Sequence, residues 1–177
     1  MSAPMHSVPV PDEGTVTART QASAFEEFFR GEHARLFRAL CLVTGDRHEA
    51  EDVLQVAFLK VFERWDRVGL MEDPQGYLYR AAMNEFRSRY RRAARAARQV
   101  FGSHPHDDAF ATIDDQDAVV RALRGLIPQQ RAAIVLTSLL GYTSEEAGDM
   151  LGIAASTVRV LTTRAREAMR AKVGEPR

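Results

Sequence analysis

The sequence predicts an all-α protein, with two small helical domains joined by a flexible acidic linker. Apolar residues recur at three- and four-residue steps along most of the chain, which is the period of an amphipathic helix. Alternation of apolar and polar residues, the usual signal of a strand, is nearly absent. One stretch, residues 99–114, shows neither pattern and contains Gly102 and Pro105, so it divides the chain into two parts.

The boundaries follow from these patterns. We expect a disordered tail at residues 1–23, a first domain at 24–98, the linker at 99–114 and a second domain at 115–173.

The tail is polar and holds three prolines, so it resembles neither a signal peptide nor a membrane anchor. No later stretch is long enough to span a bilayer. A single cysteine excludes an intramolecular disulfide. A cytoplasmic protein without membrane insertion is the expectation.

The first domain is predicted to contain three helices. The first has its apolar face between Phe25 and Val43 and stops at Gly45. Asp46 and Glu49 open the second, because an N-cap residue followed three positions later by Glu is a common helix start. The apolar face of that helix runs as far as Trp65, whose position favours core packing over a nucleic-acid stacking role. The third helix opens at Asp73 and Pro74 and ends at Arg98.

The second domain ends in a predicted helix-turn-helix. A short helix over 115–126 comes first, and Pro128 opens another that runs through Leu140 to a stop at Gly141. Thr143 and Glu146 then form a capping box, and Gly152 makes the turn between the last two helices. The outer face of the last helix carries hydroxyl groups at its start and arginines behind them, which suits base edges and phosphates in a major groove.

Charge is distributed unevenly, although the formal net charge is zero. Residues 80–98 hold seven arginines and one acid, and residues 159–172 hold five basic residues and one acid. Residues 107–117, between them, hold five aspartates and no basic residue. Two basic helices separated by an acidic connector indicate that the protein binds nucleic acid.

Three segments carry a family resemblance: GDRHEAEDVLQVAFLKVFERWDRV, DPQGYLYRAAMNEFRSRYRR and LRGLIPQQRAAIVLTSLLGYTSEEAGDMLGIAASTVRVLTTRAR. In this order they resemble an extracytoplasmic-function sigma factor of bacterial RNA polymerase, of the short actinobacterial type. The resemblance covers roughly residues 25–170. It implies a sigma region two bundle, a sigma region four helix-turn-helix, and a function in directing core polymerase to specific promoters and assisting promoter opening.

The resemblance also implies which residues meet each partner. Core polymerase would be bound by Asp52, Val53, Gln55 and Phe58. The minus-ten element would be bound by Asn84, Arg87, Arg91 and Arg92, with a base pocket in the loop 68–73. The minus-thirty-five element would be bound by Ser156, Thr157, Arg159, Val160, Thr163 and Arg164. The implied partners are the clamp and flap of the two largest polymerase subunits, promoter DNA, and an anti-sigma factor as a further candidate.

The chain departs from the usual family pattern at several positions. Val56 and Ala57 stand where an acid and a small or β-branched residue are usual, Ala154 replaces a serine N-cap, and Leu161 replaces an arginine. Ala147-Gly148 replaces the more usual Ile-Ala. The expected consequences are one lost polymerase contact, one lost cap and one lost basic contact to DNA.

An enzymatic function is not indicated. The histidines and acids around His33 and His48, and those around His104 and His106, lack the spacing of known metal sites. No phosphate-binding glycine loop or nucleophile elbow occurs. We therefore expect no catalytic residue, no cofactor and no metal. Two other functions stay open at this point: a free-standing helix-turn-helix transcriptional regulator, and a purely protein-binding helical module.

Overall fold

The computed structural model describes the backbone of residues 13–100 and 118–173, and the side chains of residues 21–96 and 120–171. Within those ranges all regular structure is helical, so the all-α prediction is confirmed. The helices are α1 (Glu13–Thr44), α2 (Arg47–Phe62), α3 (Trp65–Val68), α4 (Pro74–Val100), α5 (Ala118–Arg124), α6 (Pro128–Ile134), α7 (Ser144–Leu151) and α8 (Ala155–Val173). Residues 101–117, which include the five aspartates, lie outside the described residues.

Helix starts and stops follow the predicted capping residues. The backbone N–H of Glu49 donates to Asp46 Oδ1 at 2.8 Å, and that of Gly76 donates to Asp73 Oδ1 at 2.8 Å. Thr143 Oγ1 accepts from the Glu146 backbone N–H, and the Thr143 backbone N–H donates to the Glu146 carboxylate at 2.7 Å, which completes the capping box. The side chains therefore satisfy N–H groups that have no partner inside their own helices.

Three helix boundaries differ from the sequence prediction. Helix α1 begins at Glu13, so residues 13–23, assigned above to a disordered tail, are helical. These residues carry no proline, and their polar composition shows no apolar periodicity, so the helical extension was not predicted. Trp65 does not extend α2, because the backbone at Arg64 leaves the helical region (φ −128°) and a separate short helix follows. Helix α6 ends at Ile134 and continues as a π-helical turn over Val135–Leu139.

The core of the first domain lies between α1, α2 and α4. Its largest fully buried side chains there include Leu36, Leu40, Val53, Leu78 and Tyr79. In the second domain, α6, α7 and α8 enclose residues such as Leu136, Met150 and Val158. The same buried cluster is continuous across both domains, because α4 packs on α7 and α1 packs on α6. The helix-turn-helix is therefore held against the α1–α4 bundle.

No helix in the described part of the chain is both long enough and apolar enough to cross a membrane.

Candidate polymerase and promoter interfaces

The predicted polymerase contacts on α2 separate into an exposed pair and a buried pair. Asp52 and Gln55 are exposed, whereas Val53 is fully buried and Phe58 is 5% exposed. Val53 and Phe58 belong to the apolar stripe that packs on α1 and α4, and the Phe58 ring lies 4.7 Å from that of Phe29. In this conformation they can support the α2 surface but cannot form it.

Two exposed apolar residues extend the α2 surface beyond the predicted set. Leu59 is 56% exposed and Phe62 is 55% exposed. With Asp52 and Gln55 they occupy positions 52, 55, 59 and 62, a 3-4-3 spacing that lines up one stripe on a helix. We call these four residues the α2 stripe. Leu59 was not among the predicted contacts, and apolar periodicity had placed Phe62 on the buried face of α2. The 3-4-3 spacing from Asp52 was the signal in the sequence that could have identified both.

One face of α4 is neutralised by acids. Glu85 accepts from Lys60 at 2.9 Å and from Arg89 Nε at 3.2 Å, and Arg92 Nη2 lies 3.6 Å from the same carboxylate. Arg89 Nη1 also lies 2.9 Å from Asp52 Oδ2. The hydrogen bond from Lys60 holds the pKa of Glu85 below its usual value, since the ionised form is the better acceptor.

The other face of α4 carries Asn84, Arg87 and Arg91, which are spaced by three and four residues. Asn84 and Arg91 are exposed, and Arg87 Nη1 lies 3.5 Å from Asn84 Oδ1. Burial, together with the charge of Arg91, lowers the pKa of Arg87. No acid in the part of the chain that the structure describes pairs with Arg87 or Arg91. This face therefore has the positive charge that a nucleic-acid backbone requires.

The helix-turn-helix covers part of that face. The Arg87 guanidinium lies so close to Gly152 that a Cβ there would overlap it. A crevice of about 130 Å³ separates α4 from the second domain, and it is lined by Phe86, Arg87, Tyr90, Arg91, Gln129, Ala132, Leu151 and Ile153. Of the four residues predicted to contact the minus-ten element, Arg87 is thus the one covered by the second domain.

The loop between α3 and α4 is exposed, as a base pocket there would require. Leu70 is 88% exposed and Met71 is 38% exposed. Trp65 does not reach out beside them, because its ring packs on Phe25 and Phe28 of α1 with centroid distances of 5.3 Å and 5.0 Å. This position agrees with the predicted packing role of Trp65.

Helix α8 presents the six predicted minus-thirty-five residues together. Ser156, Thr157, Arg159, Val160, Thr163 and Arg164 are all exposed. Val158 and Leu161 face the core, with Leu161 only 9% exposed. The expected loss of a DNA contact at position 161 is therefore wrong, because this position packs inward.

The turn between α7 and α8 requires small residues. A Cβ on Gly148 would lie 2.7 Å from the carbonyl oxygen of Ile153, so glycine allows α7 to approach the turn closely. Gly152 has a left-handed backbone (φ 58°). The Ala154 carbonyl accepts from the backbone N–H groups of Thr157 and Val158, and Ala154 has no side-chain oxygen to cap α8. Arg159 lies on the outside of the motif, 3.0 Å from Glu145 of α7.

His33 has structural surroundings, whereas His48 is exposed on α2. His33 lies among aromatic rings, 4.9 Å from Phe29 and 6.2 Å from Phe58 between centroids. Among residues 21–96 and 120–171, no group of three or more metal-binding side chains converges. His104 and His106 lie outside the described residues.

Comparison with protein families identifies both domains. The family description "Sigma-70 region 2" matches residues 28–96, and "Sigma-70, region 4" matches residues 116–169. The chain belongs to the sigma factors of RNA polymerase. A free-standing regulator would not need the first of these regions, so that alternative is set aside. Sigma factors direct RNA polymerase to specific promoters, and this chain is one of them.

Individual relatives place this sigma factor in the extracytoplasmic-function group. It is 33% identical to the "ECF RNA polymerase sigma factor SigM" of Mycobacterium tuberculosis over 144 residues, which cover 81% of this chain and 74% of the relative. It is 29% identical to the "RNA polymerase sigma-E factor" of Streptomyces coelicolor, over 80% of this chain and 81% of that one.

Solved structures show a similar arrangement of helices. The sigma factor RpoE of Bartonella quintana, solved in complex with the anti-sigma factor NepR, aligns with a TM-score of 0.67 and 25% identity. The alignment covers 86% of this sigma factor and 98% of that chain. CnrH, in complex with the cytosolic domain of CnrY, aligns with a TM-score of 0.56 and 25% identity, over 86% and 94% of the two chains.

Proposed function

We propose that this sigma factor docks on core RNA polymerase through the α2 stripe. The stripe combines two polar residues with two apolar ones that are more than half exposed, and this mixture is typical of a protein interface. Its 3-4-3 spacing matches the seam that a helix presents to a coiled coil. Leu59 and Phe62 would supply apolar burial, while Asp52 and Gln55 would fix orientation.

For the minus-ten element, we propose that α4 and the loop before it hold the unpaired strand. Asn84 offers both a donor and an acceptor to a base edge. Arg87 and Arg91 lie on the same face of α4 as Asn84 and would bind the strand backbone. Arg92 lies on the neutralised face near Glu85, so its contribution would be smaller than theirs. Val68, the first residue of the predicted pocket loop, is buried at the end of α3. The exposed remainder, residues 69–73, would receive a base that has left the stack, which costs a few kcal/mol.

For the minus-thirty-five element, we propose that the exposed face of α8 enters the major groove. The small hydroxyls of Ser156 and Thr157 stand at the N-terminal end of the helix, where a recognition helix contacts base edges. Arg159 and Arg164 follow on the exposed surface. If Arg159 left Glu145 to contact a phosphate or a base, loss of the ion pair would cost little free energy, since both side chains are more than half exposed.

The protein would act in the cytoplasm as a non-catalytic subunit. The polymerase would form the phosphodiester bonds, and this chain would supply promoter recognition. One structural neighbour was solved with an anti-sigma factor, and another with the cytosolic domain of CnrY. An anti-sigma factor is therefore proposed as a third partner beside core polymerase and promoter DNA.

The observation that carries the proposal is the exposure of the α2 stripe beside the arginine-rich α4. Co-elution with core polymerase tests it: an equimolar mixture should elute as one complex in size-exclusion chromatography. Leu59→Ala should weaken binding about tenfold, the effect of losing an interface contact worth about 1.4 kcal/mol. Leu70→Ala, on an even more exposed leucine outside the stripe, is the matched control. Equal affinities for both variants and the parent would contradict the docking assignment.

A further inference from the structure

Arg131 joins the two domains through its guanidinium group. It lies on α6 in the second domain and is only 4% exposed. Its Nη1 donates to the Leu126 carbonyl at 2.8 Å, within the second domain. Its Nε donates to the carbonyl of Val43 at 3.0 Å and its Nη2 to that of Thr44 at 3.1 Å, both in the first domain. An arginine of one domain therefore binds the backbone of the other.

The two carbonyls belong to the C-terminal end of α1. The last four carbonyls of a helix have no partner within the helix, and the partial negative charge of the helix dipole lies at the same end. A buried cation at this end donates hydrogen bonds to the free carbonyls and offsets the negative charge of the helix dipole. Burial lowers the pKa of Arg131 to about 10, so the group stays protonated at neutral pH. If the domains separated, two carbonyls and one guanidinium would exchange these hydrogen bonds for bonds to water.

Other contacts close the same interface. The Arg87 guanidinium of α4 lies against Gly152 at the helix-turn-helix turn. The rings of Tyr79 and Tyr142 lie 5.8 Å apart between the domains. Leu42 of α1 packs on the apolar cluster of Leu123, Leu126, Ile134 and Ala165 in the second domain. We call the arrangement with these contacts the closed form.

The closed form is too small to contact both promoter elements. Their names place them about 25 base pairs apart, which is roughly 85 Å of duplex. A compact chain of 177 residues has a radius of gyration of roughly 16 Å, hence a diameter of about 40 Å. The closed form also covers Arg87, one of the proposed minus-ten contacts. The domains must therefore separate before both elements can be bound.

We propose that the free protein rests in the closed form, that Arg131 is the latch between the domains, and that opening uncovers Arg87 on the DNA-binding face of α4. The role of opening in DNA binding rests on the proposed function, whereas the role of Arg131 as a latch does not. The closed form would limit binding of DNA by the free protein, because Arg87 becomes fully accessible only after the α4–α7 contacts break.

Small-angle scattering of the full chain without polymerase measures the latch. The parent should show the compact radius of gyration, and Arg131→Gln should raise it by roughly a quarter as two separate domains form. Arg131→Lys keeps the positive charge but loses the planar guanidinium group. The radius of gyration of this variant should therefore lie between those of the parent and Arg131→Gln. Arg38→Gln, on an exposed arginine of α1, is the matched control and should leave the radius unchanged. Circular dichroism should show full helical content in each variant.

A second variant opens the interface without touching Arg131. Leu42→Glu places a charge against the second domain's apolar cluster from the α1 side, and it should also raise the radius of gyration. If Arg131→Gln loses helical content, Leu42→Glu decides the outcome. Unchanged radii in the folded variants would overturn the latch. So would a parent that is already extended in the absence of polymerase.

Binding of a single-stranded oligonucleotide tests whether closure masks Arg87 on α4. The open variants should bind it several-fold more tightly than the parent at low salt, where screening is weakest. A raised radius with unchanged affinity would overturn the masking role. These measurements use no polymerase, so they are separable from the proposed function. Failure of the parent to bind core polymerase would refute that function and leave the scattering result intact.

Discussion

Arg89 on α4 donates to Asp52 on α2 at 2.9 Å, so one ion pair connects the proposed DNA-binding helix with the proposed polymerase-binding stripe. Arg89 also reaches Glu85 on its own helix at 3.2 Å, and Glu85 reaches Lys60 on α2. Because Asp52 is exposed, the pair contributes only modestly to stability. Its main effect is to hold the Asp52 carboxylate in place at the edge of the α2 stripe.

Replacement of Asp52 and Gln55 by alanine should weaken core polymerase binding and leave helical content unchanged. Both side chains are exposed and lie off the buried face of α2. We expect a loss of roughly thirtyfold in a competition assay against the parent, since two polar contacts in an interface contribute about 1 kcal/mol each. Gln21→Ala with Glu27→Ala, on exposed residues of α1, is the matched control. Parental competition by the Asp52 and Gln55 variant would rule out this docking face.

Arg159→Ala and Arg164→Ala should each weaken binding to a minus-thirty-five duplex. Each loses a proposed contact to DNA, so the slope of log affinity against log salt should fall by about one unit if that contact is a phosphate. Fluorescence anisotropy over a salt series measures both quantities. Arg38→Ala, an exposed arginine far along the chain, should keep the parental slope. Identical slopes for all the variants would mean that α8 does not contact the backbone through these arginines.

Asn84→Ala should impair opening of the minus-ten element while duplex binding at the minus-thirty-five element stays intact. Asn84 is exposed on α4, in the first domain, whereas the proposed duplex contacts lie on α8 in the second. Fluorescence of 2-aminopurine placed in the minus-ten element should rise more slowly on opening with the variant holoenzyme. An equal loss at both elements would contradict this division between the domains.

The sequence predicted most of the secondary structure, because local chemistry determines it. Asp46, Asp73 and Thr143 act as caps through atoms only three residues away. Contacts between the domains were not predictable in this way. The Arg131 side chain reaches carbonyls 87 and 88 residues distant, and nothing in its neighbourhood of the sequence indicates that contact.

The sequence predicted the positions of some candidate site residues better than those of others, and the exposure of their side chains explains the difference. The recognition helix has one polar and one apolar face, so the pattern placed five of the six predicted residues on the exposed side, and the family resemblance added Val160. On α2 the family resemblance identified Val53 and Phe58 by position, although apolar periodicity alone would have placed them inside. Leu59 was missed because an exposed leucine cannot be distinguished by type from a buried one.

Glu85 gives this protein a pH-dependent element of stability. Its pKa is held below the ordinary 4.5, mainly by the hydrogen bond from Lys60. The folded state therefore binds fewer protons at this site than the unfolded chain, and the stabilisation is fully present only above the unfolded pKa. Glu85→Gln should lower the free energy of unfolding by about 1 kcal/mol at neutral pH. The difference should shrink as pH falls below 4.5, in urea denaturation at several pH values.

An exposed acid on another helix provides the matched control for the pH series. Glu27→Gln removes a carboxylate that lies on an exposed position of α1. A Glu85→Gln deficit that stays constant from neutral pH to well below 4.5 would show that the Lys60 and Arg89 contacts do not depend on the charge of Glu85.

Transcription by core polymerase tests the central claim most directly. Core enzyme alone should give no specific product, and addition of this protein should produce a defined start on a promoter selected with the reconstituted holoenzyme. Scrambling either the minus-ten or the minus-thirty-five element of that promoter should strongly reduce the product, since each domain would then lose its target. Selection of DNA that carries only one element, or an absence of specific initiation with active core enzyme, would contradict the account.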